Sequence, residues 1–339
     1  MRCLIVHYDT LGLRHDARIL EHALTTIYPF VECYHLVLPR WSTFDYKTPL
    51  NLPEDIRAAA PFDVSFMLEH AHPNAPILEP TFSKSVIYIP NIEWMNELDE
   101  TVICSGAVDK VLFKTRHSLD VFASSPLAQE VPVIAYVGWT SDDPLLDAAN
   151  GAEMDFDRFL HVRGISWQKQ TDVVMETWAA NPRFPPLTVV MRFDRGFNLS
   201  GPMTYGDNVT VIMGEISFPE LRRLQRSAGV HVNPSAAEGF GHSLNEGRGA
   251  GSLLITTDAP PMNELVRHGE TGMLVEPRLE KSTPMQRSRF YPVDQDALTT
   301  IVEEALRMPT PVRAKMGRAA RAMFLDDRER FHKQLAAVL

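Results

Sequence analysis

Apolar runs rich in β-branched residues alternate with longer stretches of helical spacing along the whole chain. The run CLIVHY, Cys3–Tyr8, is nearly unbroken by polar positions and reads as a strand buried on both faces. Ala17–Ile27 carries its apolar residues at intervals of three and four, which predicts a helix. Phe30–Val37 is strand-like again, and further strands are predicted at Val64–Leu68, Val86–Ile89, Val111–Phe113 and Val133–Tyr136. Apolar strands separated by helices point to a parallel sheet covered on both faces.

A break follows at Thr140–Asp157, TSDDPLLDAANGAEMDFD, whose Asp, Pro, Gly and Asn content reads as a linker. The alternation then restarts. Strands are predicted at Phe159–Val162, Leu187–Met191, Val209–Ile212, Val230–Val232, Leu253–Thr256 and Met273–Val275. Helices are predicted at Thr171–Ala180, Pro219–Ala228, Ser243–Gly249, Asp296–Met308 and Val312–Phe324. No repeat of fixed period is present. The expected architecture is α/β: two doubly wound, Rossmann-like domains at 1–145 and 154–319, facing a central cleft. Ligands of such sheets sit at the carboxyl ends of the strands.

Composition narrows the partners. The 339 residues are 45% hydrophobic and 22% charged, ordinary for a globular protein, with a net charge of −10. The charge is uneven: residues 1–150 hold 10 basic and 20 acidic residues, and residues 151–339 hold 23 of each. An acidic front half repels phosphate backbones, so nucleic acid is a poor partner. Cys3, Cys33 and Cys104 are too few and scattered for a disulfide framework or a zinc site, which fits a reduced, cytoplasmic setting. The apolar start is too short for a signal segment, and no stretch reaches the ~20 apolar residues of a membrane span.

The candidate chemistry lies in NPSAAEGFGHSLNEGRG, Asn233–Gly249. It follows a strand and holds two carboxylates, Glu238 and Glu246, with seven residues between them. Gly239, Phe240 and Gly241 form a turn that opens a helix near His242, Ser243 and Leu244. The glycines allow a ligand to approach the backbone, and the helix N-terminus is a natural seat for a diphosphate. A carboxylate on each side of that seat can accept hydrogen bonds from sugar hydroxyls. Two sugars flanking a diphosphate describe a nucleotide-sugar.

EGFGHSLNE resembles the E-x7-E motif of the retaining glycosyltransferases of family 4, the bacterial group 1 enzymes of GT-B fold. LLITTDAPPMNELVRHGETGMLVEP, Leu253–Pro277, is similar to the family's downstream segment, and FLHVRGISWQKQTDVVMETW, Phe159–Trp178, to the opening of its donor domain. In the first half, VIYIPNIEWM and DKVLFKTRHSLDVF sit where such proteins carry comparable elements. The resemblance implies that Glu238 contacts the transferred sugar, Glu246 holds the ribose, Lys169 contacts the diphosphate, and Glu264 lies near the donor. Many members carry an arginine where this chain has Gly164, so either Arg163 stands in for it or the diphosphate has one cation fewer. Many carry a Gly-Gly pair after the first strand, where this chain has Gly12 alone.

Other residues have bland readings beside the functional ones. His70 and His72, and Asn91 and Glu93, follow first-half strands and are candidates for the acceptor or the cleft, or else satisfied polar groups. Asp155-Phe-Asp157 and Asp294-Gln-Asp296 mimic a D-x-D metal motif but read as solvated acids or caps. Tyr28, Phe30, Tyr34, Trp41, Phe44 and Tyr46 offer an acceptor or membrane-docking surface, with core packing the commoner fate. No His, Cys and Asp cluster has metal-ligand spacing.

The resulting expectation is a retaining hexosyltransferase that uses a nucleotide-diphosphate sugar and a carbohydrate or glycoconjugate acceptor. Its setting would be cell-surface polysaccharide or glycoconjugate synthesis, in the cytoplasm or at the inner membrane face. The first domain would bind acceptor and the second the donor, and the last helix, about 320–339, would pack back on the first. No cofactor or divalent metal is expected. A transferase acting on modified DNA and an inactive sugar-nucleotide-binding module are the alternatives.

Overall fold

Each alternation of strand and helix closes into its own six-stranded parallel sheet. The computed structural model describes residues 1–39, 51–72, 76–146, 154–192, 206–278, 281–282 and 289–339. They form two compact units. One holds Met1–Trp139 and Arg328–Leu339, the other Thr140–Ser282 and Arg289–Asp327.

The first unit runs β1 (Arg2–Tyr8), α1 (Leu11–Ile27), β2 (Glu32–Leu38), α2 (Glu54–Ala59), β3 (Val64–Glu69), β4 (Val86–Pro90), α3 (Glu97–Cys104), β5 (Lys110–Phe113), α4 (Arg116–Ala123) and β6 (Val133–Tyr136). Its strand order is β2-β1-β3-β4-β5-β6. The chain therefore leaves β1 toward one edge and returns through β3 toward the other, so the topology switches between β1 and β3. Nearly every residue of β1, β3 and β4 is buried, which is why these strands read as unbroken apolar runs.

Two boundaries differ from the sequence expectation. Helix α1 begins at Leu11 rather than Ala17, because the Thr10 side chain caps it by accepting from the Leu13 amide. Polar Arg14, His15 and Asp16 in its first turns hide the apolar period. Strand β2 starts at Glu32, and Phe30 lies before it, 92% exposed, outside any core. Tyr34 packs edge-on against Phe62 at 5.4 Å, whereas Trp41, Phe44 and Tyr46 lie outside the described residues.

The second unit runs β7 (Asp155–Gly164), α5 (Thr171–Ala180), β8 (Leu187–Met191), β9 (Val209–Met213), α6 (Phe218–Ser227), β10 (Ala228–Asn233), α7 (His242–Ala250), β11 (Leu253–Thr257), β12 (Gly272–Val275), α8 (Gln295–Arg307) and α9 (Thr310–Val338). Its strand order is β12-β11-β10-β7-β8-β9, so the switch falls between β7 and β10. Phe159, Val174, Trp178, Val230, Ile255 and Val302 centre the core. Fully burying an apolar side chain of this size stabilises the fold by about 1.5–3 kcal/mol.

Here too the boundaries shift. Asp155–Asp157, expected in the linker, are the first residues of β7, and Asp157 is ion-paired to Arg313 at 3.0 Å. Residues 147–153 of that linker lie outside the described residues. Ala228, expected at a helix end, opens β10 instead. Asp294 caps α8 by accepting from the Ala297 amide at 2.7 Å, as the cap reading expects. The chain ends on one 29-residue helix, α9, rather than a helix stopping at Phe324. Its Arg328–Leu339 portion belongs to the first unit, where Phe331 packs on Trp139 at 4.6 Å. No described helix is long and apolar enough to cross a membrane.

Candidate functional site

The second unit gathers its polar residues at the carboxyl ends of β7 and β10, the two strands that flank its switch point. Beyond β7 a short 3-10 turn, Trp167–Lys169, leads into α5. Beyond β10 the loop 234–241 leads into α7. The two loops are tied together: the Ala236 amide donates to the Gln168 carbonyl at 2.8 Å, and Gln170 Nε2 donates to the Pro234 carbonyl. Gln170 also accepts from the Val293 amide at 3.0 Å, which fixes its αL backbone just before α5.

Lys169 and Glu238 meet across this seam. Lys169 Nζ donates to Glu238 Oε1, and to Ser243 Oγ at 3.0 Å. The two side chains are 11% and 10% exposed, so the pair is shielded but reachable from solvent.

Gly241 makes the helix start possible. Its φ is +85°, and a Cβ there would lie 2.8 Å from Leu244 Cδ1. Its carbonyl accepts from the Asn245 amide at 3.0 Å and from Asn245 Nδ2 at 3.1 Å. Among the described residues no side chain caps α7, whose N-cap is Gly241 itself. His242 Nδ1 lies 2.7 Å from Ser141 Oγ and its ring is edge-on to Phe240 at 5.6 Å. Phe240 and Leu244 are buried and shape the turn rather than offering polar groups. Gly239 is buried in the same loop.

Glu246 stands on α7, away from Lys169 in its bonding. Gln225 Nε2 donates to Glu246 Oε2 at 2.6 Å, and Arg222 lies 3.8 Å from its other oxygen. Arg222 also donates to Gln225 Oε1 at 3.0 Å and pairs with Asp142 at 2.8 Å. Arg222 and Gln225, one helical turn apart on α6, were not singled out by the sequence; buried Arg and Gln on one face of an otherwise polar helix were the available signal.

Arg163 is buried at the end of β7, where the β7–β8 register shifts between Val162 and Gly164. Its Nε donates weakly to the Ser166 carbonyl at 3.4 Å, and its Nη1 has no partner among the described residues. Burial lowers its guanidinium from the usual value, opposed by the Asp172 charge. Gly164, with φ +61°, occupies the neighbouring position with open space around it. Gln168 Nε2, both side-chain amide atoms of Asn233 and Ser235 Oγ are likewise buried with no partner among the described residues. Such atoms are rare in folded proteins and mark places where water or a ligand completes the bonding. Glu264 is half-buried in a 3-10 turn, Met262–Glu264, after β11.

The remaining candidates belong to the first unit. Gly12 is exposed in the first turn of α1, with open space among the described residues where a Cβ would stand. His72 and Glu93 are buried. His70 is buried against Asp99, Nδ1 to Oδ2 at 3.0 Å, and Asn91 bridges Lys114 and Glu69. Burial opposes protonation of His70, but the Asp99 hydrogen bond and charge, with the Glu69 charge, raise its pKa above the usual value. Asp99, Glu69, Lys114 and Asp16 were not singled out in the sequence, because they lie far apart in the chain and only the fold brings them together.

Two six-stranded parallel sheets flanked by helices define an α/β protein of the GT-B glycosyltransferase fold. The chain is similar to the Anabaena HepE protein in complex with UDP and glucose, with TM-score 0.68 and 14% identity over 100% of this chain and 99% of that one. It is similar to sucrose-phosphate synthase from Thermosynechococcus elongatus, with TM-score 0.68 and 14% identity over 100% and 98%. A trehalose-6-phosphate synthase studied for glycosyltransfer with retention gives TM-score 0.68 and 11% identity over 100% and 98%. At these identities the likeness establishes the fold. In sequence, residues 197–283 match the family described as Glycosyl transferases group 1. No curated protein matches the chain.

Proposed function

We propose that the protein is a retaining glycosyltransferase that moves a hexosyl group from a nucleotide-diphosphate sugar to an acceptor hydroxyl. The observation that carries the reading is the Lys169–Glu238–Ser243 constellation at the uncapped N-terminus of α7. A cation beside a helix N-terminus that no side chain caps suits a diphosphate, and a carboxylate next to them suits a sugar. The group 1 match and the shared fold with proteins solved with UDP and UDP-glucose support a nucleotide-sugar as donor.

In this reading the diphosphate sits on α7, drawing Lys169 Nζ and the unsatisfied Nη1 of Arg163. Glu246, steadied by Gln225 and Arg222, accepts from the ribose hydroxyls. Glu238 accepts from the hexose hydroxyls and favours the positive charge that develops on the ring. Glu264 lines the donor side. The bond from the anomeric carbon to the diphosphate breaks, its electron pair staying on the phosphate. The acceptor oxygen bonds to the same face of that carbon, and its proton passes to the leaving phosphate. The residues then supply mainly charge stabilisation of the leaving group. Fixed cations and helix amides fill that role without a divalent metal. Retention is supported by the EGFGHSLNE resemblance and by the fold shared with trehalose-6-phosphate synthase.

The test is a panel of nucleotides and nucleotide-sugars scored by thermal shift, followed by NMR of the product or hydrolysed sugar. A nucleoside diphosphate should raise Tm by mass action, and the released sugar should keep its anomeric configuration, with EDTA leaving turnover unchanged. No shift with any nucleotide would remove the reading. An inverted product, or activity restored only by manganese, would remove its mechanism.

A further inference from the structure

Six polar side chains, four at or just beyond carboxyl strand ends of the first unit and two, Asp16 and Asp99, on helices α1 and α3, form one continuous line. Lys114 Nζ donates to Asp16 Oδ2 at 2.6 Å and to Asn91 Oδ1 at 3.0 Å. Asn91 Nδ2 donates to Glu69 Oε2 at 2.6 Å. Glu69 Oε1 lies 3.9 Å from His70 Nε2, and His70 Nδ1 lies 3.0 Å from Asp99 Oδ2. Asp99 is fixed from its other sides by the Ala71 amide at 2.6 Å and the Asn96 amide at 2.9 Å. The line is well satisfied at both ends, where Lys114, Asp16 and Asp99 are buried.

Its middle is different. Glu69 is the last residue of β3 and has φ 68°, unusual for a residue other than glycine. Its Oε2 is held by Asn91, but its Oε1 accepts no hydrogen bond among the described residues, and the side chain is 15% exposed. Burial pushes its carboxyl up from the usual value, against the pull of His70 and the Asn91 bond.

Place in the fold supplies an independent argument. β3 and β1 are the neighbours between which this sheet's topology switches, and β1 ends at Tyr8, whose ring is edge-on to His70 at 5.8 Å. Open α/β sheets bind ligands in the crevice beyond the carboxyl ends at such a point. A half-satisfied carboxylate there has an oxygen left for a donor, and the flanking pairs keep it from turning away.

We propose that Glu69 is a binding residue for a neutral polyol, with Oε1 accepting a hydrogen bond from one of its hydroxyls. The polyol would be the acceptor of the transferase, so the assignment of its role rests on the proposed function. A hydroxyl donates to Glu69, whereas a phosphate or carboxylate at that place meets a carboxylate on a unit whose residues 1–139 and 328–339 hold 18 acidic against 13 basic residues. The first unit therefore selects against anionic acceptors.

Saturation-transfer NMR on the intact chain tests this with UDP, glucose, myo-inositol, glucuronate and glucose 6-phosphate as probes. Glucose or myo-inositol should give signals with the wild-type protein, and glucuronate and glucose 6-phosphate should give weaker ones. Glu69→Gln should lower the polyol signal at least fivefold and leave the UDP signal unchanged. Glu69→Asp keeps the charge and should bind between the two. The unchanged UDP signal reports that the variants are folded. Equal polyol binding by wild type and Glu69→Gln, no polyol binding by the wild type, or a preference for the anionic sugars would overturn the proposal. If UDP binds no form but polyol binding still depends on Glu69, the polyol site stands and the glycosyltransferase reading falls.

Discussion

Lys169 and Glu238 are 69 positions apart in the chain, yet Lys169 Nζ donates directly to the Glu238 carboxylate. Parallel pairing of β7 with β10 brings this about, since it places the loops that follow the two strands side by side. Both side chains are about nine-tenths shielded from water, so each charge depends on the other or on a ligand.

Breaking that pair leaves one poorly solvated charge. Lys169→Met and Glu238→Gln should each destabilise the protein, and the double variant should lose less than the sum. The coupling is expected at about 1–3 kcal/mol, the range for contacting charged groups. Urea denaturation of the four proteins measures it, and additivity would show that the pair is not energetically joined.

Gly241→Ala places a methyl group 2.8 Å from Leu244 Cδ1 at a position with φ +85°. A residue with a Cβ in this left-handed conformation costs about 1–2 kcal/mol before any clash. Thermal unfolding should show a fall of at least that size, with loss of nucleotide binding because α7 no longer starts at His242. A variant as stable as the wild type would mean that the turn re-forms without the left-handed residue.

Two histidines should set the acid limit of the fold. His161 Nδ1 lies 2.7 Å from the Val232 carbonyl and Nε2 2.8 Å from Thr171 Oγ1, while His231 Nε2 lies 3.1 Å from the Gln225 carbonyl. Burial, partly offset by the carbonyl bonds, lowers both to about 4. Between pH about 6.5 and 4 the unfolded chain therefore takes up protons that the folded one refuses, and stability falls with pH. The loss is of order 3 kcal/mol per histidine across that window and absent above pH 7. Urea midpoints at pH 7 and 4.5 test this. His231→Gln should show a shallower drop than wild type, and an equal drop would place the titration elsewhere.

Much of this fold was legible because its strands are buried on both faces. CLIVHY, LTVVM and LLITT carry almost no polar residue to obscure the pattern. Boundaries were harder. Thr10 caps a helix whose first turns are polar, and Asp155–Asp157 look like a linker although they open β7 and Asp155 pairs with Ala228 of β10. The Glu238–Gly241–Glu246 motif was readable because it is local. What supports it was not: Gln225 and Arg222 reach Glu246 from another helix, and their partnership exists only once α6 and α7 are packed. Glu69, Asp16, Lys114 and Asp99 are separated by up to 98 residues between bonded partners, so nothing in their local sequence links them.

The central claim is that Glu238 serves the hexose and Glu246 the nucleotide. Calorimetry with UDP, GDP and ADP, paired with turnover of the corresponding sugar donor, separates them in Glu238→Gln and Glu246→Gln. Glu238→Gln should keep the affinity of the preferred nucleoside diphosphate and lose more than tenfold in turnover, roughly 1.4 kcal/mol or more in barrier. Glu246→Gln should weaken nucleotide binding by about 1.5–3 kcal/mol, the worth of a charged hydrogen bond. The reverse pattern, with Glu238→Gln losing nucleotide affinity while turnover is spared, would contradict the account.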